Sequence, residues 1–299
     1  MAGVLAGLVG DGAAFAKALA QRQPEVFRPA DRLSGLPTPG DLDEALRGGL
    51  LRVPYVEMVR DGEVVPAAQF CTTRVVAGRR EDGFADPERI AALLADGATL
   101  LLPQLDQWHP SVCALAAELA AELGRRTEAF CFATGAGRRG LDVHRDDADV
   151  LVVQLAGEKE WIVHEAPADG RWRPGLAPEP GAVALRSVLK AGEVLYVPRG
   201  APHAATGSQD LSVHLSFTIR EAGTGRLRGA LGDWLAGGDW AAGLPERPAG
   251  EAELLATAAE VLRLGRARLD QLTPEELLRL ARGPLPALAV GSRAGVLGD

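Results

Sequence analysis

Three kinds of pattern are scarce in this sequence, and each absence excludes a class of protein. Its three cysteines, Cys71, Cys113 and Cys131, are widely separated, so neither a disulfide framework nor a zinc-ribbon spacing is predicted. Its 32 basic and 40 acidic residues give a net charge of −8, so the basic balance of a nucleic-acid-binding protein is missing. No apolar run approaches the roughly 20 residues of a membrane span, because Asp11 and Lys17 interrupt the best candidate. We therefore expect no nucleic-acid partner, no membrane partner and a cytoplasmic location.

The first part of the chain predicts helices with a few strands between them. Apolar residues at helical spacing over Val4–Gln21 predict one helix, and prolines and glycines over residues 24–40 predict an irregular connector. The runs Leu51–Val59 and Glu63–Val76 predict a hairpin around the turn signal at Asp61-Gly62. Further elements are predicted as helices Asp86–Ala95 and Ser111–Leu123, capped by Asp86 and Ser111, and as a strand at Thr99–Pro103.

The middle of the chain predicts short β-strands separated by glycine and proline turns. The strands are predicted at Glu128–Thr134, Val150–Leu155, Glu160–His164, Ala182–Val188, Glu193–Val197 and Leu211–Ile219. Many short strands at close spacing are typical of a barrel or sandwich and not of alternating βαβ units. Helical patterns return after Leu227, most clearly at Glu251–Leu264 and at Pro274–Ala281, which Thr273 caps. The sequence therefore predicts a mainly β fold with flanking helices and a C-terminal helical region.

Two residues with metal-binding side chains, His144 and Asp146, lie two positions apart in a segment that reads as extended. Side chains at positions i and i+2 of a strand point to the same face, so both can converge on one ion. A third candidate, His203, follows the strand that ends at Val197 and a Pro198–Gly200 turn. Two histidines and one carboxylate leave metal positions open, which can accept a bidentate keto acid and oxygen. An isolated H-x-D pattern is a weak signal by itself, because it often occurs by chance.

A more specific pattern surrounds these positions. From His144 to Trp161 the sequence reads HRDDADVLVVQLAGEKEW. This segment resembles JmjC proteins of the ribosomal-oxygenase branch, in which H-x-D is followed by an apolar strand, Q-x-x-G, a basic residue and tryptophan. The residues in register with that pattern are Gln154, Gly157, Lys159 and Trp161. The segment LKAGEVLYVPRGAPHAA, which contains His203, is similar to the distal-histidine segment of the same family, and the resemblance extends over residues 97–219.

The resemblance implies a double-stranded β-helix of the jelly-roll or cupin-like JmjC type, in which His144, Asp146 and His203 hold iron(II). It implies that 2-oxoglutarate is the cosubstrate and that a protein or peptide side chain is hydroxylated, with release of succinate and carbon dioxide. Two alternatives stay open. One is a hydroxylase of a free amino acid or natural-product precursor, and the other is a non-catalytic, metal-binding cupin-like interaction protein.

Three further residues receive roles in the cosubstrate pocket from the resemblance. Lys159 would pair with the remote carboxylate of 2-oxoglutarate, whereas composition alone favours a solvated lysine between two glutamates. His214 and Thr218 share one face of the strand Leu211–Ile219 and would line the same pocket. Polar side chains that face the core and form local hydrogen bonds would explain these two residues equally well.

Length and composition predict one large domain with an appendage, since the chain has 299 residues of which 47% are hydrophobic. We predict an N-terminal helix and connector over residues 1–48, the JmjC oxygenase domain over 49–222 and a helical region over 223–299. By resemblance the last region forms a homodimer, although its apolar stripes could instead pack on its own barrel. Arg138 and Arg139 could attract an acidic substrate or simply be solvated. Arg145, between the two proximal ligands, should face away from the metal.

Overall fold

The computed structural model describes residues 3–31, 34–135, 141–208 and 210–285, with strands concentrated in the middle of the chain and helices on either side of them. The strands are β1 (Glu25–Phe27), β2 (Glu57–Arg60), β3 (Glu63–Val64), β4 (Cys71–Val76), β5 (Arg79–Ala85), β6 (Thr99–Leu102), β7 (Thr127–Thr134), β8 (His144–Arg145), β9 (Ala148–Ala156), β10 (Glu158–His164), β11 (Gly175–Leu176), β12 (Val183–Lys190), β13 (Val194–Val197), β14 (His203–Gly207) and β15 (Ser212–Arg220). The helices are α1 (Val4–Val9), α2 (Gly12–Gln21), α3 (Pro39–Arg47), α4 (Ala67–Phe70), α5 (Pro87–Ala95), α6 (Leu105–Trp108), α7 (Pro110–Leu123), α8 (Thr224–Ala236), α9 (Glu251–Leu269) and α10 (Pro274–Arg282).

Two antiparallel sheets pack face to face and enclose a cavity. The larger sheet has eight strands in the order β1-β13-β9-β15-β7-β6-β2-β3, and the smaller has five in the order β11-β8-β14-β10-β12. Strands β8, β10 and β14 belong to the smaller sheet, whereas β9, β13 and β15 belong to the larger one. The chain therefore crosses between the sheets at successive strands, which confirms the predicted double-stranded β-helix of the cupin-like type.

Gly157 makes the crossing from β9 to β10 possible. It is the single residue between the two strands, and its φ of +63° lies in the left-handed region. A Cβ atom at this position would lie 2.3 Å from the carbonyl oxygen of Leu211. Only glycine tolerates both the backbone conformation and this close approach. The glycine of the Q-x-x-G pattern is thus explained by the change of sheet.

Strand β15 separates the cavity from the main hydrophobic core. Leu215 and Phe217 are completely buried in a core that also contains residues of α1, α2 and α7. On the opposite face, His214, Ser216 and Thr218 line the cavity. Burial of one leucine or phenylalanine contributes about 1.5–3 kcal/mol, and a slip of one residue would exchange the two faces. The apolar alternation therefore fixes which polar side chains reach the cavity.

Described residues up to Arg220 form one compact unit, and Glu221–Pro284 form a second, which contains α8, α9 and α10. Within the second unit, the guanidinium of Arg268 lies 4.7 Å from the centroid of the Trp234 ring and donates to the Trp234 carbonyl oxygen at 2.8 Å. No side chain of α9 is buried. Among the described helices, none combines the length and apolar character needed to cross a bilayer. The division into residues 1–48, 49–222 and 223–299 stays a prediction.

The six central strands that the sequence predicts are confirmed, each to within two residues at either end. The single helix over Val4–Gln21 is wrong, because the chain forms two helices that break at Gly10. Asp11 begins the second one by accepting hydrogen bonds from the backbone N–H groups of Ala13 and Ala14. A local capping interaction thus overrides a continuous apolar pattern.

Two other expectations about the first part of the chain are corrected. Ser111 does not cap its helix, since α7 begins at Pro110 with His109 in the capping position and no side-chain cap. The hairpin predicted around Asp61-Gly62 is confirmed as the pair β2–β3, but its second arm ends at Val64, and the run Glu63–Val76 continues into α4 and β4. Strand β4 pairs with β5, which the sequence pattern did not predict. Charged residues dominate β5, and they obscure its alternation.

Candidate metal centre

Three candidate ligands converge at one end of the cavity. His144 lies in β8, Asp146 follows it by two residues, and His203 begins β14, where it is the register partner of His144. Their ligand atoms all lie within 4.8 Å of one another. The Nε2 atom of His203 is 3.7 Å from Oδ2 of Asp146, and the two imidazole centroids are 4.4 Å apart. The structure therefore brings together all three residues that the sequence selects.

Hydrogen bonds orient both imidazole rings toward a common point. Nδ1 of His144 lies 2.8 Å from the carbonyl oxygen of Asp142, and Nδ1 of His203 lies 3.0 Å from that of Ala201. A ring whose Nδ1–H donates to a carbonyl presents the lone pair of Nε2, and metal-binding histidines are commonly fixed in this way. Burial lowers the pKa of His203, with the nearby His144 as a further cause, which favours the neutral imidazole that a metal requires.

The chemistry of this donor set fits a divalent transition metal. Two imidazole nitrogens and one carboxylate are the ligands of the facial triad of non-haem iron(II) oxygenases, which leaves further coordination positions open. His203 is buried, whereas His144 and Asp146 are half-buried. The open positions can therefore be reached from the mouth of the cavity.

The cavity has a volume of about 300 Å³, which is at the lower end of the range for small-molecule sites. Both sheets contribute to its wall. Residues that line it include Leu101, Phe130, Phe132, Val150, Val152, Lys159, Trp161, His214, Ser216, Thr218 and Arg220, in addition to the three candidate ligands. Apolar side chains predominate, with a few polar groups that could hold a small anion in one orientation.

Lys159 supplies a buried cation to this cavity. Its side chain is 2% exposed, and its Nζ donates to Oγ1 of Thr134 at 3.0 Å. Burial lowers the pKa of Lys159 to about 8. The flanking Glu158 and Glu160 lie on the other face of β10, where they pair with Lys190 and Arg186. Lys159 is thus not the solvated lysine that composition alone would favour.

His214 and Thr218 occupy the opposite wall at different depths. His214 stacks on Phe132 with centroids 4.9 Å apart, and its Nδ1 has no hydrogen-bond partner among the described residues. Burial lowers the pKa of His214 well below its ordinary value, and the positive charge of Lys159 lowers it further. Thr218 lies four residues along β15, paired with Glu128 and Val150, and is therefore displaced by about 13 Å along the strand.

Other sequence candidates lie elsewhere or cannot be placed. His109 and His164 do not line the cavity, and they hydrogen-bond to Ser111 and to the Gly181 carbonyl oxygen, respectively. Arg138 and Arg139 lie outside the described residues. Arg145 does not line the cavity, as its position between the ligands predicts, and its Nε is buried with no hydrogen-bond partner among the described residues.

Sequence reasoning missed two residues near the site. The sequence identifies Trp161 only as part of a motif. The centroid of its ring nevertheless lies 6.1 Å from that of His203 and 5.4 Å from that of His214. Arg220 lines the cavity and donates to Glu128 through Nε and one terminal nitrogen, at 2.9 and 2.6 Å. The period-2 pattern that placed Lys159 also places Trp161 on the same face, so this signal was available.

The fold and the site together define a double-stranded β-helix domain with a His-Asp-His centre at one end. Residues 103–227 match the model of a family described as JmjC domain. This match agrees with the resemblance to JmjC proteins that the sequence shows over residues 97–219.

The alignments with two curated relatives are longer than the match of residues 103–227 to the family model. The chain is 29% identical over 224 residues to "Ribosomal oxygenase 1" of Rattus norvegicus, covering 70% of this chain and 35% of the relative. It is 26% identical over 153 residues to "Bifunctional lysine-specific demethylase and histidyl-hydroxylase NO66" of Drosophila simulans, covering 48% and 18%. The chain thus spans about a third or less of the length of these relatives.

Solved structures support the same fold at lower identity. The crystal structure of Escherichia coli ribosomal oxygenase YcfD aligns with a TM-score of 0.52 at 18% identity, covering 89% of this chain and 68% of that one. The complex of YcfD with cobalt and 2-oxoglutarate aligns with a TM-score of 0.53, also at 18% identity and with the same coverage. At this level of identity the likeness shows the fold alone.

Proposed function

We propose that this protein is an iron(II)- and 2-oxoglutarate-dependent oxygenase that hydroxylates a side chain of a protein or peptide. The observation that carries the proposal is the presence of the His-Asp-His cluster and a buried ammonium group in the wall of one cavity. A 2-oxoglutarate enzyme needs both features, because the keto-acid end binds the metal and the remote carboxylate needs a fixed cation. The match of residues 103–227 to the JmjC domain family supports the same activity.

His144, Asp146 and His203 would hold the metal, with Nε2 of each imidazole and one carboxylate oxygen as ligand atoms. Lys159 would pair with the remote carboxylate of 2-oxoglutarate, through the charge-assisted hydrogen bonds that are strongest in a buried setting. His214 lines the same cavity as Lys159 and would line the cosubstrate pocket. Thr218 is proposed for the same pocket, although its register places it toward Arg220.

Bound iron(II) would supply the oxidation chemistry, in which 2-oxoglutarate and dioxygen yield succinate, carbon dioxide and an acceptor that gains one oxygen atom. The side chains of this protein place the reactants. Trp161, Val150 and Val152 pack between the sheets and give the cavity an apolar wall that disfavours water. The half-buried His144 and Asp146 leave the opposite side accessible to an acceptor.

A protein or peptide acceptor is favoured by the similarity to a ribosomal oxygenase and to a protein described as a histidyl-hydroxylase. We propose a ribosomal-protein side chain as the first candidate. A free amino acid or natural-product precursor is the alternative acceptor. A non-catalytic metal-binding protein would form no succinate, so turnover of 2-oxoglutarate separates this alternative from both hydroxylases.

The test is an incubation of the purified protein with iron(II), ascorbate, 2-oxoglutarate and ribosomal-protein digests. We expect succinate by NMR and, by mass spectrometry, a peptide that gains the mass of one oxygen atom. His144→Ala should abolish both signals, whereas the matched variant His109→Ala, outside the cavity, should keep them. Absence of succinate from iron-loaded protein with every acceptor class would contradict the oxygenase assignment.

We also propose that the helical region after residue 223 forms a homodimer. The support is the set of large apolar side chains that α9 exposes, Leu254, Leu255, Val261, Leu262 and Leu269. Apolar patches of this kind commonly mark association sites. The expected result is a dimer mass by light scattering at micromolar concentration, and a monomer throughout that range would refute it. A cytoplasmic location remains part of the same proposal.

A further inference from the structure

Two short segments, residues 144–149 and residues 198–203, carry the candidate metal ligands. They are called here the proximal and the distal ligand segment. We propose that Asp149 is a positioning residue that clamps the two segments together and thereby sets the metal affinity of the site. The inference rests on the metal site of the proposed function, and it assigns a role to a carboxylate that does not itself touch the metal position.

The Asp149 carboxylate is buried and fully used. Its Oδ1 accepts hydrogen bonds from the hydroxyl of Tyr196 at 2.8 Å and from the backbone N–H of Arg199 at 3.0 Å. Its Oδ2 accepts from the guanidinium of Arg125 at 2.8 Å. Asp149 follows Asp146 by three residues, and Arg199 precedes His203 by four. One oxygen atom thus joins the proximal segment to the turn that leads to the distal ligand.

Further bonds join the same two segments. The N–H of Gly200 donates to the carbonyl oxygen of Asp146 at 3.0 Å. Nε of Arg199 donates to Oδ1 of Asp147 at 2.7 Å. The ring of His203 is in turn oriented by the carbonyl oxygen of Ala201, 3.0 Å from Nδ1. The direction of this imidazole therefore depends on the position of the turn, which the Asp149 carboxylate holds from inside.

Trp172 holds the same turn from the other side. Gly200 has a φ of +79°, and a Cβ there would lie 2.4 Å from the Trp172 indole. The guanidinium of Arg199 lies 6.0 Å from the centroid of the same ring. Both the indole and the Asp149 carboxylate contact this turn, so loss of the carboxylate removes one of the contacts that fix it.

The two carboxylate oxygens have separable roles. The bond from Oδ2 to Arg125 is a buried ion pair, which concerns the stability of the fold. The bonds to Oδ1 concern the distal ligand segment. Loss of outer partners that orient metal ligands typically weakens metal affinity by about 10–100-fold. If Asp149 only stabilised the fold through its ion pair with Arg125, metal affinity would fall in every variant that breaks this ion pair.

The experiment compares two variants by titration with cobalt(II) alone. Binding is measured by calorimetry and by visible absorption. The double variant Arg125→Met/Asp149→Leu replaces the ion pair by apolar side chains, which folded proteins often tolerate, and it removes the Oδ1 bonds. The matched variant Arg125→Met breaks the same ion pair but keeps both bonds on Oδ1. We expect cobalt(II) affinity to fall about 10–100-fold in the double variant, with a changed absorption spectrum, and to stay within about threefold in the single variant.

Wild-type cobalt(II) affinity in the folded double variant, or an equal loss in Arg125→Met, would overturn the inference. Amide hydrogen exchange of the wild-type, metal-free protein gives a second reading that does not depend on whether a variant folds. We expect protected amides at Arg199 and Gly200, and exchange at the rate of an unstructured peptide would refute the clamp. A wild-type protein that binds no cobalt(II) would refute the proposed metal site, whereas the amide exchange would still decide whether the clamp exists.

Discussion

Substitution of Lys159 by methionine should weaken cosubstrate binding and stabilise the free protein at the same time. Burial lowers the pKa of Lys159 from 10.5 to about 8. Each unit of pKa corresponds to about 1.4 kcal/mol, so the charged side chain costs the folded state about 3 kcal/mol. The cost is present in full below pH 8, where Lys159 is protonated in both the folded and the unfolded protein. It disappears between pH 8 and 10.5, because Lys159 releases its proton first in the folded protein.

Methionine fills a similar volume without the charge but gives up the hydrogen bond from the charged ammonium to Thr134, which contributes about 1.5–3 kcal/mol. The expected gain in the free energy of unfolding at pH 7 is therefore about 0.5–2 kcal/mol, or roughly 1–8 °C in Tm for a unit of this size. The loss of a buried partner for the remote carboxylate should weaken 2-oxoglutarate binding by about 2–5 kcal/mol, which is at least about 30-fold.

Thermal melting without ligand measures the first effect, and calorimetric titration of the metal-loaded protein with 2-oxoglutarate measures the second. Lys190→Met is the matched control, because Lys190 is an exposed lysine on the neighbouring strand β12. It should leave both quantities unchanged. The reasoning is refuted if Lys159→Met binds 2-oxoglutarate as tightly as the wild type, or if it lowers Tm in the free protein.

Four other outcomes are expected. His144→Ala should abolish stoichiometric binding of iron(II) as followed by equilibrium dialysis, and full retention would remove this residue from the ligand set. Wild-type affinity for 2-oxoglutarate should fall as pH rises above about 8, because the Lys159 ammonium of the ligand-free protein loses its proton there. A calorimetric affinity that stays constant from pH 7 to 10 would argue against the pairing of Lys159 with the remote carboxylate. Gly157→Ala should cost at least about 1–2 kcal/mol in urea unfolding, since φ is +63° and the Leu211 carbonyl leaves no room; an unchanged midpoint would contradict it. Leu254→Ser/Leu262→Ser should convert the proposed dimer to a monomer in light scattering, and an unaffected dimer would exclude α9 as the interface.

Strong local patterns made the central strands and the placement of the candidate ligands predictable. Alternation along Leu211–Ile219 put His214 and Thr218 on one face, and the structure shows that this face lines the cavity. The two-residue spacing of His144 and Asp146 was enough to place them on one face. The position of His203 just after the Pro198–Gly200 turn could be predicted, but strand β14, which it begins, was not predicted. Its pairing with β8 could not be predicted either, because sequence patterns carry no information about which distant strands become neighbours.

Three features were not revealed by the sequence, each for a different physical reason. Asp149 reads as one of several aspartates near His144, and only the fold shows that its carboxylate meets Tyr196, Arg199 and Arg125. The break between α1 and α2 was missed because apolar spacing continues through Gly10 and Asp11. The β4–β5 hairpin was missed because charged residues hide its pattern. Tertiary contacts decide the first case, a local cap decides the second, and the charged residues of β5 account for the third.

A crystal structure of the protein with manganese(II) and 2-oxoglutarate under anaerobic conditions tests the central claim most directly. We predict a metal ion on Nε2 of His144, Nε2 of His203 and the Asp146 carboxylate, with the keto-acid end of the cosubstrate on the metal and its remote carboxylate on Nζ of Lys159. A metal ion bound elsewhere, or a cosubstrate whose remote carboxylate does not reach Lys159, would contradict it.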